Sequence, residues 1–221
     1  MGKRDETAAL VIGGGILLLM TLRKESNGID WGGGWHFPVP DLLTGGKRYA
    51  AVVSQGLHAP NHYGVDIMYK RTGVADRPEY PAGIVDDGGA KASTMWFAPR
   101  GTPILAARDA RVWSVAPNPL GIGIVLDHGF PWATFYQHLA STPLAPHAAG
   151  KRTDGKPAQL VKAGDLIGTM GHNPNKGPGG IVDGEKLRHL HFATWYKGSG
   201  DSAAVDPEAV MRNWARSTWQ V

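Results

Sequence analysis

Leu187-Arg188-His189-Leu190-His191-Phe192-Ala193-Thr194-Trp195 reads as a β-strand that carries two histidines two residues apart. Its branched and aromatic residues suit a pleated, half-buried surface. Side chains alternate between the faces of a strand, so His189 and His191 share one side while Leu190 and Phe192 point to the other, into a core. On a helix the two imidazoles would point in nearly opposite directions. Paired imidazoles serve a metal site or an acid–base couple, but they also occur as a plain polar stripe on a half-exposed strand. Partners elsewhere in the chain must decide.

The segments before this strand repeat its character. Ala50 to Ser54 and Val65 to Tyr69 alternate as short strands, and from Met95 onward the chain becomes a series of them. These are Met95–Pro99, Thr102–Ala107, Ala110–Pro117, Gly121–Gly129 with Ile122, Ile124 and Leu126 on one face, and Trp132–Leu139. Turn residues separate them at Arg100-Gly101 and Asn118–Gly121. Leu160–Met170 reads as two strands around a turn at Ala163-Gly164-Asp165. Strands at this spacing predict an antiparallel sheet folded into a sandwich or barrel-like core. Thirty-one glycines and sixteen prolines, scattered without period, agree with many turns. At the end, Asp206-Pro207-Glu208 supplies N-cap, first-position proline and first-turn acid, and Val210, Met211, Trp214 and Ala215 follow at helical spacing. One amphipathic helix is expected there.

The 221 residues suffice for one domain with a real core. A formal charge of +4 suits anionic partners without selecting one. With no lysine–arginine run and no basic patch interleaved with aromatics, no nucleic-acid partner is expected. The absence of cysteine excludes disulfides, thiolate zinc ligands, a cysteine nucleophile and a lipidated cysteine. Residues Ala8 to Leu22 are an uncharged apolar run between Lys3-Arg4 and Arg23-Lys24. The run is shorter than the roughly 20 residues of a full span and contains three consecutive glycines. The residues after it make a poor signal-peptidase site. The expected organisation is a retained hydrophobic anchor or docking helix over 1–24, set against a membrane or partner proteins. A glycine-rich linker over 25–34 and one folded domain over 35–221 follow it.

Candidate ligands for a metal are His62, Asp66 and His191, with His189 as the other choice within the pair. His62 and Asp66 lie four apart in His62-Tyr63-Gly64-Val65-Asp66, where Gly64 argues against a helix, so in extended chain they share a face. A catalytic zinc takes three protein ligands from His, Asp and Glu and keeps one open position. A further histidine is needed to move a proton or steady an oxyanion, and His138 or one member of the His189/His191 pair is placed for it. His128 reads as a hydrogen-bonded turn residue. His36, His58, His147 and His172 read as solvated loop residues, and Glu185 as exposed. Most tryptophans are expected in the core, with Trp195 and Trp132 weighed as groove walls. Tyr63, directly after a candidate ligand, either lines the groove or packs beneath it.

Taken together and in order, these motifs resemble the M23 family of zinc metallopeptidases, the LytM/lysostaphin-type peptidoglycan endopeptidases. The resemblance rests on His62-Tyr-Gly-Val-Asp66, Tyr136-Gln-His138-Leu and His189-Leu-His191-Phe. It extends to Gly101–Ala107, Gly123–Gly129, Lys162–Gly168 and Val205–Pro207, so it runs from about Trp35 to the final helix. It implies a mainly β fold of the M23 type, with an antiparallel sandwich or groove core. It implies that Zn2+ is held by His62, Asp66 and His191, with His138 and His189 as catalytic residues beside the bound water and substrate carbonyl. Tyr63 and Trp195 are the expected substrate-binding residues, and peptidoglycan peptides the expected substrate. The setting implied is a cell envelope, with the enzyme domain outside the cytoplasm, or a phage virion tail. A catalytically silent binding or structural relative is the alternative, disfavoured because no ligand is missing. Two intervals are longer than usual for the family, Lys70–Thr94 and His172–Glu185, and both are expected near the mouth of the groove.

Overall fold

Period-two alternation fixes how the strands sit. In a computed structural model of the chain, the described residues are 29–70, 96–99, 101–148, 151–152, 155–171 and 188–221. The expected N-terminal helix over 8–22 and nearly all of the two long loops lie outside them. The chain divides into 1–32 and 33–221. In the first, Gly32 N donates to Asp30 Oδ1 at 2.9 Å. Among the described residues no helix is long and apolar enough to cross a membrane.

In the second unit the strands are β1 (Asp41–Thr44), β2 (Lys47–Tyr49), β3 (Ala51–Gln55), β4 (Val65–Lys70), β5 (Trp96–Phe97), β6 (Pro103–Leu105), β7 (Ala110–Asn118) and β8 (Gly121–Asp127). They continue with β9 (Trp132–Ser141), β10 (His147–Ala148), β11 (Lys151–Arg152), β12 (Leu160–Val161), β13 (Leu166–Met170), β14 (Leu190–Tyr196), β15 (Ala204–Val205) and β16 (Thr218–Gln220). The main sheet runs β11-β10-β7-β8-β9-β14-β4-β3. A second, three-stranded sheet has the order β16-β1-β2. The fold is therefore mainly β, and every pairing in the main sheet is antiparallel.

On β9, Trp132, Thr134 and Tyr136 turn inward, while Ala133, Phe135 and Gln137 face out. On β14, Leu190 and Phe192 are fully buried, as the alternation requires. With Tyr69, Ile67, Ile104, Ile124, Leu126, Leu139 and Ile167 they make the core. Two phenols in it are satisfied by backbone: Tyr69 donates to Pro40 O at 2.9 Å, and Tyr136 accepts from Ala107 N at 2.7 Å. Burial raises the pKa of both, so each stays a neutral hydrogen-bonding group.

The small sheet holds a buried ionic cluster. Asp41, 2% exposed, accepts from Arg48 Nη2 and Arg216 Nη2, each at 2.6 Å, and from Ala51 N at 3.1 Å. Burial pushes its carboxyl up, but the two guanidiniums outweigh burial and hold it below the usual carboxylate range.

The expected short closing helix is present as a single turn, Glu208–Met211, where Asp206 Oδ1 accepts the Glu208 amide at 2.9 Å; three other expectations need correction. Beyond that turn the chain is captured by β pairing: Phe37 N donates to Ala215 O, Ala215 N donates to Trp35 O, and β16 lies alongside β1. Tertiary pairing thus overrides helical spacing, although Val210, Met211 and Trp214 remain buried. The β1–β16 pair is parallel, unlike the antiparallel pairing expected throughout. Ile122 is only half-buried, because a register shift between Ile122 and Ile124 breaks the alternation. His147 is not a solvated loop residue. It begins β10, is 3% exposed, and its ring nitrogens meet Ala145 O (2.7 Å) and Val112 O (3.1 Å).

Candidate active site

Strand register builds the site. β14 lies between β4 and β9, and His191 is directly opposite Asp66 on one side and Gln137 on the other. Directly opposed residues of an antiparallel pair share a face, with Cβ atoms about 5 Å apart. A slip of one residue would turn His191 into the core. His62 arrives from the turn before β4, closed by backbone hydrogen bonds between His58 and His62. The outcome is a triangle of ligand atoms. His62 Nε2 is 3.0 Å from Asp66 Oδ1, His191 Nδ1 is 3.1 Å from that oxygen, and the two nitrogens are 3.1 Å apart. All three side chains are nearly but not wholly buried, at 13–16% exposure, so the cluster opens on solvent at one side.

The donor chemistry of this triangle suits a cation. His62 Nδ1 lies 2.9 Å from Gly56 O and donates to it. A neutral His62 therefore presents the bare lone pair of Nε2 to a carboxylate oxygen, acceptor against acceptor. A positive ion between them removes that conflict, and fixing one imidazole nitrogen on a carbonyl is the usual way to aim the other at a metal. The 3.0–3.1 Å edges lie near the ~3.3 Å that tetrahedral ligands at ~2.0–2.1 Å set between themselves. His62, Asp66 and His191 thus fit a small divalent ion such as zinc. Asp66 stays ionised: burial raises its pKa, but the His191 hydrogen bond and the surrounding imidazoles bring it below the ordinary value.

His189 and His138 stand beside the triangle. His189 precedes β14, with Nε2 3.6 Å from Asp66 Oδ2. Its ring meets that of His138 edge-on at 4.7 Å, and His138 is 6.2 Å from the His191 ring. His138 has φ +69° near the end of β9, a left-handed conformation uncommon for non-glycine residues and typical of functional positions. Two glycines make room for it. A Cβ on Gly121 would lie 3.2 Å from His138 Cα, and one on Gly171 would lie 2.7 Å from His138 O. His138 Nδ1 donates to Leu120 O at 2.9 Å, which leaves Nε2 as the basic nitrogen. Burial first, and then the neighbouring His189, press its pKa down to about 4, so the ring is neutral at pH 7.

The cleft beside the triangle, about 280 Å³, is lined by Tyr63, Phe135, Gln137, Trp195 and Asp201 together with His62 and His191. Trp195 is 9% exposed and stacks on Phe135 at 5.6 Å. It is packed like a core residue yet forms a wall. Trp132 is 5% exposed and packs against Trp35 and Tyr196. The described residues therefore bring all seven site candidates together: His62, Tyr63, Asp66, His138, His189, His191 and Trp195. His128 is hydrogen-bonded at both nitrogens, to Asp109 O and Thr134 Oγ1. His58 lies 5.2 Å from His62 ring to ring but turns its Nδ1 to Gly56 O. His36 is half-buried, with Nδ1 on Phe37 O. His172 and Glu185 fall outside the described residues.

Sequence reading missed four contributors. Gly64 abuts a ligand: a Cβ there would sit 2.9 Å from His191 Nε2 and 2.7 Å from Phe192 O. Phe135 and Gln137 occupy outward positions of β9, where period-two alternation from Tyr136 could have found them. Asp201, in a 3-10 turn at Asp201–Ala203, carried no signal.

The chain is similar to several known proteins. Similar solved structures include the catalytic domain of lysostaphin from Staphylococcus simulans (21% identity, TM-score 0.41, covering 82% of this chain and 90% of that one). Others are LytU (21%, 0.42, 85% and 92%) and a zinc-containing peptidase from Vibrio cholerae (19%, 0.43, 80% and 40%). A curated relative, the cell division protein DipM of Caulobacter vibrioides, is 31% identical over 119 residues. That match spans 52% of this chain but 16% of DipM. The family model for Peptidase family M23 matches residues 90–207, just over half of the chain. His138, His189 and His191 fall within the matched span, whereas His62 and Asp66 precede it and join them through the β4–β14 register. The chain belongs to peptidase family M23.

Proposed function

We propose that this chain is a zinc-dependent endopeptidase that hydrolyses peptide bonds in the stems or cross-bridges of bacterial peptidoglycan, and that it works in the cell envelope. The observation that carries the reading is the triangle of His62 Nε2, Asp66 Oδ1 and His191 Nδ1 with edges of 3.0–3.1 Å, flanked by His138 and His189. His62, Asp66 and His191 would hold the ion. When bound, zinc supplies Lewis acidity that lowers the pKa of water and polarises a carbonyl.

The chain's own residues do the rest. The Gly56 carbonyl fixes the His62 tautomer, and Leu120 O fixes that of His138. His138 Nε2, neutral at pH 7, accepts a proton and returns it to the leaving amine, acting from a ring its backbone holds in one orientation. His189, between His138 and Asp66, donates toward the oxygen on which negative charge develops. Phe135, Trp195 and Tyr63 wall the cleft in which an extended peptide lies. His62 and His191 line the cleft, and Asp66, His138 and His189 stand directly beside them, which supports an active enzyme over a silent relative. The apolar run at 8–22 is read as the segment that keeps the domain at a membrane or on a partner protein.

Purified protein should contain about one zinc per chain and should release peptides from purified cell walls, with mass analysis giving the bond cut. Absence of metal from unchelated protein, or intact walls after digestion, would overturn the reading. His138→Ala should keep zinc while losing about 10²–10⁴-fold in turnover, and near-normal turnover would remove its assigned role.

A further inference from the structure

Beyond the cleft, the outer face of the main sheet carries a second depression of about 400 Å³. Trp195 lines both cavities, so the two are neighbours. Among the described residues only four large apolar side chains are markedly exposed: Trp113 (39%), Phe130 (85%), Leu160 and Leu166. Two of the four, Trp113 and Phe130, line this one depression. Its polar lining includes Asp127, Lys197 and Ser199. The Trp113 ring is held in place: Arg111 packs over it at 5.3 Å and is itself tied to Asp127 at 2.7 Å.

We propose that this aromatic depression is a saccharide-binding subsite, which seats the glycan of the wall polymer while its attached peptide reaches the His62–Asp66–His191 cluster. The inference rests on the peptidase reading for its placement, but the chemistry is separate. A pyranose ring offers a face of polarised C–H groups that stacks on aromatic rings, and a rim of hydroxyl and amide groups for hydrogen bonds. A braced tryptophan and an exposed phenylalanine beside a carboxylate, an ammonium and a hydroxyl match both needs. An extended peptide would instead seek backbone pairing at a free strand edge. Here β7, β8, β9 and β14 are consecutive strands paired on both sides, so the face offers side chains and no backbone ladder. Asp127 set against Lys197 and Arg111 leaves no strong field of one sign beside the rings, which suits a neutral ligand better than a polyanion.

The test titrates the full-length, zinc-loaded chain with the β-1,4-linked N-acetylglucosamine tetramer, by calorimetry and by tryptophan fluorescence. Saturable binding is expected. Trp113→Ala and Phe130→Ser should each weaken it by about tenfold or more. Leu160→Ser, at an exposed apolar residue on another part of the surface, should leave it unchanged. Phe130 is so exposed that its variant will fold, which secures the test if Trp113→Ala does not. No saturable binding, undiminished binding in Phe130→Ser, or equal loss in Leu160→Ser would overturn the proposal. Cleavage of a glycan-free stem peptide is measured in parallel. Peptide cleavage without saccharide binding removes the subsite and keeps the peptidase; saccharide binding without cleavage supports the subsite and removes the peptidase.

Discussion

Asp41 and Asp66 are both shielded carboxylates ringed by basic side chains, and they do opposite things. Asp41 meets two arginines and a backbone amide, each a permanent donor aimed at an acceptor. Every group there is satisfied, and the cluster ties β1 to β2 and to the segment that leads into β16. Asp66 meets histidines, and His62 turns its one proton away to Gly56 O. What remains is a carboxylate oxygen and two nitrogens crowded to 3.0–3.1 Å. Arginine, always charged, completes an ion pair; neutral imidazole leaves a lone pair for something else to complete. The first site holds the fold together, and the second is built to take a cation.

The strongest way to break this contrast is to alter each carboxylate separately. Asp66→Asn removes the anionic ligand and should abolish zinc binding and peptide release together, with a thermal midpoint in apo protein close to that of the apo parent. Retained stoichiometric zinc would show that Asp66 is not a ligand. Asp41→Asn should do the reverse: it strands two guanidiniums around a neutral group and should cost about 2–4 kcal/mol in denaturant melts, while zinc content stays at one per chain. A smaller effect is expected from Gly64→Ala, whose methyl would press on the His191 ring and the Phe192 carbonyl. Displacing a ligand in this way should weaken zinc affinity by about 10–100-fold, measured by competition with a chelator, and an unchanged affinity would mean the turn simply shifts aside.

The smallest expected effect is on acid stability. The pKa of Asp41 is lowered in the fold, so its contribution is present above the unfolded value of about 3.9 and fades as pH falls below it. His128 is held to about 4 by burial, so its protonation on unfolding erodes stability earlier, between about pH 6.5 and 4. Both groups bind fewer protons folded than unfolded, so acid destabilises through each. Melts of metal-free protein should fall in two steps, and Asp41→Asn should shrink the lower one, to which Asp66 also contributes.

What could be read before folding follows the range of the interaction. His-x-His on a strand, the shared face of Leu190 and Phe192, and the turns at Asn118–Gly121 and Ala163-Gly164-Asp165 depend on neighbours and were legible. Which partner faces His191 depends on the β4–β14 register, which joins residues 125 apart. Residue types alone left His189 and His191 interchangeable, and the family resemblance separated them. The Asp41 cluster was invisible because Arg216 lies 175 residues away. The short closing helix was legible in its apolar spacing, but where it stops was not, because β1 and Trp35 claim the chain after one turn. His147 read as loop because β10 has only two residues, and burial there comes from β7.

His191 stands on β14, which has a paired strand on both sides and two fully buried neighbours. Such a strand opens only when the whole domain opens. Asp66 and His191 are thus held by paired strands, whereas His62 stands on the turn before β4, so this turn is the part of the triangle where local backbone opening costs least.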